Sequence, residues 1–341
     1  MTRTDDAGFS LIEALMATAI TLVVLALTSR AFISGLNANN AIELLTGTNQ
    51  NLQVASGYIT QDLIKAGQGI QIGGLSRPNG PGATAIVRPI GTASTFPTST
   101  VLSAVTAGDA LGPLVMDTTT STTRSDVITV IYMDQTATVL PLTSVSLTST
   151  AATVVVTPTI NTTTANTVRQ GDLFVFTNPN GMTVMEVTGS TPNSQTLVFD
   201  NTDVLKFNQP GLPAGQGGIK QLVPTPTGYP PVSMQRLTMV TYYIDRTVPT
   251  QPVLMRRLGG TAPIPIAMGV ENLQMQYYTF PSGASSLSLT SSPTNPDDVR
   301  KIDVYLGARS EDKAKQTNDY VRNSMATQVT VRSLGLFDTY R

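Results

Sequence analysis

The chain has 341 residues, a formal net charge of -1 and only 13% charged residues, and it contains neither cysteine nor histidine. So even a balance leaves no electrostatic footprint for nucleic acid. The two missing residue types exclude disulfides, Cys/His nucleophiles, a Ser-His-Asp triad and any ordinary zinc site. No enzyme and no cofactor is expected, and the fold must rest on core burial and sheet pairing.

In chain order, a short polar leader carrying Arg3, Asp5 and Asp6 ends at Gly8. Phe9-Ser10-Leu11-Ile12-Glu13-Ala14-Leu15-Met16 opens an almost uncharged run that continues to Ser29, with Arg30 behind it. About 20 apolar residues span a bilayer, and a carboxylate such as Glu13 near the start of such a run is costly and functional by default. An ordinary secretory signal has an apolar region of only about 7–15 residues followed by a small-residue cleavage site. This run is longer and no such site ends it. A plain single-span anchor, with Glu13 reaching to the headgroups, is the competing reading of the same residues.

The leader, the glycine junction, the aromatic Phe9, the hydrophobic helix and an acid five residues past the glycine together resemble the class III signal of type IV pilins and pseudopilins. That resemblance implies cleavage between Gly8 and Phe9 by a prepilin peptidase and N-methylation of Phe9. Glu13 would serve assembly and register by pairing with the amino terminus of a neighbouring subunit. Implied partners are other minor and major pilins, the peptidase and an inner-membrane assembly platform. Implied localisation is single-pass in the inner membrane with a periplasmic soluble domain, and a pilus tip or cell surface after assembly.

Past the membrane, Ile42, Leu45, Asn49, Leu52, Ser56, Ile59, Leu63 and Ala66 recur by three and four, one face of a helix at heptad spacing. Gly67 and Gly69 are helix-ending glycines, and Gly35 and Gly47 are points of bending. The expected organisation is leader 1–8, transmembrane helix half 9–36, amphipathic helix half 37–67 and a β-rich soluble domain with loop insertions over 68–341. Ile42, Leu45, Leu52, Ile59, Leu63 and Ala66 are the expected packing residues, against the chain's own sheet or, alternatively, against partner helices.

Beyond Gly74 the period becomes two. Val127–Tyr132 reads as a buried strand, and Leu173–Phe176 with Met182–Val187 around Asn178-Pro179-Asn180-Gly181 as a hairpin. Leu237–Ile244, Leu273–Tyr277, Ile302–Leu306, Val154–Val156, Leu197–Phe199, Val253–Leu258 and Gln328–Val331 are further strands. Residues 75–125 and 207–233 read as irregular excursions. The Thr/Ser-rich stretches 92–107, 118–125, 136–153 and 157–167 read as loops, edge strands or glycosylated segments. Asp200/Asp203 and Asp297/Asp298 hold oxygen ligands at calcium-compatible spacing, but both pairs sit in turn signals and match no EF-hand pattern.

Gln61-Asp62-Leu63-Ile64-Lys65-Ala66-Gly67, Ser125–Val130, Val240–Ile244, Val253–Arg257, Gly269–Tyr277 and Ile302–Ser310 resemble, in order, segments of PilW-like minor pilins, though those chains often carry cysteines. Taken singly, Asp62-Leu63 reads as any helix end, Tyr242 and Tyr243 as strand residues, and Arg256 and Arg257 as partners of strand neighbours. The fold expected is α+β and pilin-like, a long N-terminal transmembrane and amphipathic helix packed on a β-dominated, mostly antiparallel C-terminal domain. The function implied is that of a minor pilin in an assembly-priming or tip complex. A J-type minor pseudopilin of type II secretion and a pilin-anchored surface adhesin are the alternatives.

Overall fold

The computed structural model describes residues 10–71, 73–90, 94–116, 122–157, 159–160, 167–190, 193–222, 232–281 and 283–335. The Gly8/Phe9 junction therefore lies outside the described residues. Helix α1, Leu11–Lys65, runs for 55 residues without a break at Gly35 or Gly47. It begins with a reciprocal cap: the Ile12 N–H donates to Ser10 Oγ at 3.2 Å and the Ser10 N–H donates to Glu13 Oε2 at 3.1 Å. Lys65 sits in its last turn, where the helix dipole favours a cation. Gly67 and Gly69 stop it at φ +75° and +73°, a left-handed conformation that costs glycine no Cβ clash. The Gly67 N–H then donates to Ile131 O at 2.8 Å, tying the helix end to the sheet.

Seventeen strands follow among the described residues. The first ten are β1 Leu75–Ser76, β2 Val101–Leu102, β3 Val105–Gly108, β4 Val127–Met133, β5 Leu140–Leu147, β6 Ala151–Val156, β7 Leu173–Asn178, β8 Gly181–Glu186, β9 Gly189–Ser190 and β10 Thr196–Asp200. Then come β11 Ser233–Asp245, β12 Val253–Leu258, β13 Ile264–Met268, β14 Val270–Thr279, β15 Ser288–Thr290, β16 Val299–Ala314 and β17 Asp319–Thr330, with a last turn of helix, α2, at Arg332–Gly335. The pairing given by their registers is antiparallel.

Strand β11 is the hub of the larger sheet. Its registers place β4 and β5 along one edge and β12 and β7 along the other. A second sheet has the order β15-β14-β16-β17. Every residue of β4 is buried, because Ile128, Val130 and Tyr132 face the core containing α1 while Ile131 and Met133 face another. That two-sided burial explains why β4 reads as a continuous apolar run rather than an alternating one. A third core gathers around Phe176 and Phe199, whose rings meet edge to face at 5.2 Å.

Two compact units divide the described chain. One runs to Gln50 and includes Arg309–Asn323, the turn end of the β16–β17 hairpin. In it the helix exposes Leu11, Leu15, Val23, Leu27, Phe32 and Leu36, and its apolar content and length suffice to cross a membrane. The hairpin meets the helix through polar groups: the Lys315 N–H donates to Asn40 Oδ1 at 3.3 Å and Asn323 Nδ2 to Asn49 Oδ1 at 2.5 Å.

The other unit comprises Asn51–Ala308 with Ser324 onward. Leu52, Ala55, Ile59 and Leu63 of α1, and Ala66 just after it, are fully buried there, in one core with β4, β11, β14 and β16. Burying each such leucine or isoleucine contributes roughly 1.5–3 kcal/mol.

Several expectations are corrected. Ile42 is 61% and Leu45 38% exposed, so the packed face starts later than the heptad pattern suggests. Around them the helix meets hairpin asparagine contacts instead of an apolar sheet face. The stretch 75–125 contains β1, β2 and β3 rather than only irregular chain, and 136–153 contains most of the β5–β6 hairpin. Threonine and serine fill the outward positions there while Ala152, Val154 and Val156 point into the core. The strand expected at Gln328–Val331 is the end of the much longer β17.

Candidate functional site

Two polar devices act on α1, one at each end. At the start, Glu13 is exposed and held by the Ser10 N–H. It is thereby oriented back toward the residues that precede the helix.

At the other end Asp62 is buried and accepts from three side chains of three adjacent strands. Tyr132 Oη on β4 donates to Asp62 Oδ1 at 2.9 Å, and Tyr242 Oη on β11 donates to Oδ2 at 2.5 Å. Arg256 Nε on β12 donates to Oδ2 at 2.9 Å and to Tyr242 Oη at 3.1 Å. Lys65, one turn on, lies 5.7 Å from the centre of the Tyr132 ring.

Sheet register explains the convergence. Tyr242 is directly opposite Arg256, while Tyr132 is opposite Thr238, four residues before Tyr242. Four residues of strand span about 13 Å, so two long phenols on one face lean toward a single carboxylate between them. Burial, with Asp62 next, drives both phenol pKa values up. For Arg256, burial works against the charge, but the hydrogen bond and charge of Asp62 outweigh it and its pKa rises. The guanidinium is therefore a fixed cation. The cluster ties the helix end to three strands. A buried pair of this kind adds little net stability over an apolar equivalent, yet losing one partner costs about 3–5 kcal/mol.

The structure thus unites three segments that sequence reading treated separately, Asp62, Tyr242 and Arg256, and adds Tyr132. It separates two others. Tyr243 packs with Ile90 and Val127, away from Asp62, and Arg257 Nε donates to Thr261 O at 2.7 Å. No local signal marked the cluster in advance, since Asp62-Leu63 taken alone reads as any helix end.

The acidic pairs make local bonds, though Asp203 Oδ1 is buried without a hydrogen-bond partner. Asp200 Oδ1 accepts from the Thr202 N–H at 2.9 Å, and Asp203 Oδ2 from the N–H groups of Phe207 at 2.6 Å and Asn208 at 3.2 Å. Burial pushes the Asp203 carboxyl up to about 6. Beside it the buried Glu186 accepts from the Leu205 N–H at 3.0 Å, and burial raises it to about 7. Asp297 and Asp298 form a 3-10 turn capped by Asn295, whose Nδ2 donates to Asp298 Oδ2 at 3.1 Å. Among the described residues no three His, Cys, Asp or Glu side chains group as a metal site.

No protein-family model matches this chain. No curated protein matches it either. Among solved structures it is similar to a type IV-like pilin from Thermus thermophilus, at 12% identity over 49% of this chain and 87% of that one. The TM-score of that match is 0.19, an overlap too small to define this chain's topology or role.

Proposed function

We propose that this chain is a minor pilin of a type IV pilus, of the PilW-like kind, acting in an assembly-priming or tip complex. It would work by assembly rather than catalysis. The observation that carries the reading is α1 itself, a helix of Leu11–Lys65 with a lipid-length apolar stretch at one end and a buried sheet-packing face at the other. In this reading the apolar half holds the subunit in the inner membrane, with the β-domain in the periplasm. Peptidase cleavage at Gly8/Phe9 and methylation of Phe9 release it for docking among other pilins on the assembly platform.

Glu13 has a defined part in that scheme. A carboxylate within lipid costs about 2.5 kcal/mol or more on insertion scales, so it needs a cation. The Ser10 N–H that it accepts lies one residue from the new amino terminus at Phe9. A neighbour's terminus would displace an interaction already made within the chain, which turns Glu13 into a register pin.

The test is mass spectrometry of the full chain from cells with active peptidase. The mature protein should begin at a methylated Phe9, and Gly8→Val should block that maturation. An intact Met1 terminus would overturn the reading.

A further inference from the structure

A cavity of about 500 Å³ opens beside β11, within the size range of small-ligand sites. Ile90, Leu111, Pro113, Val127, Tyr243 and Pro263 supply apolar wall, and Arg124 and Arg246 line the same space. Leu111 and Thr247 also line it and are exposed, so the opening lies on their side.

The wall is built in advance. The Gly112 N–H donates to Ser125 O at 2.7 Å and the Ser125 N–H to Pro113 O at 2.8 Å. The Ala110 N–H donates to Asp126 Oδ1 at 2.9 Å. Arg124 Nε donates to Ala110 O at 3.1 Å, and Arg246 Nη1 donates to Leu114 O. Both guanidiniums are therefore held by one loop through a single nitrogen each.

Neither guanidinium forms an ion pair among the described residues, and Arg246 Nε is buried without a hydrogen-bond partner. Asp245 also lines the cavity and accepts within its own turn from the Thr247 N–H at 2.9 Å and the Thr247 hydroxyl at 2.5 Å, so two cations against one carboxylate leave the space net positive. An apolar pocket thus ends at two cations with unused donors, and the Tyr243 ring stands in its wall.

We propose that this cavity is a binding site for a small amphipathic carboxylate, its aliphatic or aromatic body against Leu111, Val127 and Tyr243 and its carboxylate on Arg246 and Arg124. Charge complementarity selects the occupant: a carboxylate accepts from the guanidinium nitrogens that Arg124 and Arg246 do not spend on the loop, whereas a neutral apolar ligand makes no use of them.

The experiment titrates the full chain, held in zwitterionic phospholipid nanodiscs, with 4-phenylbutyrate and with its neutral amide, using saturation-transfer NMR and empty discs as the blank. Wild type should prefer the acid by about tenfold or more, the scale of one charge-assisted hydrogen bond. Arg246→Gln and Arg124→Gln should each erase most of that preference while leaving amide binding unchanged, which separates charge recognition from collapse of the pocket. Leu111→Trp, which fills the mouth from an exposed position, should abolish binding of both probes. Equal binding of acid and amide by wild type, no binding of the acid at millimolar concentration, or binding indifferent to Leu111→Trp would each overturn the proposal.

Discussion

Arg256 donates its Nε to Asp62 Oδ2 at 2.9 Å across 194 residues of chain, joining the last turns of the long helix to β12 of the large sheet.

Breaking the pair from one side is therefore costly. Asp62→Ala leaves the partly buried Arg256 guanidinium without its anion and the Tyr132 and Tyr242 hydroxyls without their acceptor, and should destabilise the domain by about 3 kcal/mol. Replacing both, as Asp62→Leu with Arg256→Met, should recover part of that loss, because the two charges go together while the buried Tyr132 and Tyr242 hydroxyls still lose their acceptor. Denaturant melts of the single and double variants check this. A double variant as unstable as the sum of the singles would show that the two residues do not act together.

The buried stripe of α1 has a definite beginning. Ile59→Asp places an unpaired charge in the core and should cost several kcal/mol, enough to threaten a marginally stable domain. Ile42→Asp, at an exposed position, should stay within about 0.5 kcal/mol. Equal thermal shifts for the two would contradict the placement of the packed face.

Gly108 makes room for a buried arginine. A Cβ there would lie 2.0 Å from Arg88 Nη1 and 2.6 Å from Val127 O. Arg88 is fully buried, its Nη2 donates to Ala107 O at 2.7 Å, and burial lowers its pKa to about 10. Because backbone blocks one direction and a held guanidinium the other, Gly108→Ala should cost about 1–3 kcal/mol or more. Arg88→Met in the same background should restore part of the loss, read by melting temperature.

Two buried carboxyls predict a pH dependence. Glu186 at about 7 and Asp203 at about 6 hold protons more tightly in the folded chain than at their ordinary values of 4.5 and 3.8. Their contribution is full below those ordinary values and is lost as pH rises through the folded ones. Stability should therefore fall between about pH 4 and pH 7, by on the order of 3 kcal/mol for Glu186 alone. Glu186→Gln should flatten the upper part of that decline in denaturant midpoints measured across the range. An unchanged slope would mean that other groups cause it.

Local chemistry made much of this architecture legible. The apolar run from Leu11, the glycine stop after Lys65, the two-sided strand at Val127–Met133 and the Asn178–Gly181 turn each follow from properties of a few neighbouring residues: transfer free energy, left-handed glycine and side-chain period. The α+β class followed from the same signals. The heptad face, by contrast, extrapolated too far toward the membrane, because periodicity shows which positions could be buried and not where a covering surface exists. Leu52 and Ile42 look alike in sequence and differ only in what stands opposite them.

The Asp62 cluster was decided by tertiary structure alone. Its four residues come from a helix and three strands, and each by itself has an ordinary local explanation. What brings them together is antiparallel register, which sets Arg256 opposite Tyr242 and lets Tyr132 reach the same carboxylate from the neighbouring strand. The second carboxyl pair has the same origin, since Glu186 and Asp203 become proton-holding groups only when the folded chain removes water from both. Sequence by itself determined the membrane-length helix and the β-rich body behind it. Only the fold chose which charges were buried and which partners met them, because burial and register are properties of surfaces distant in the chain.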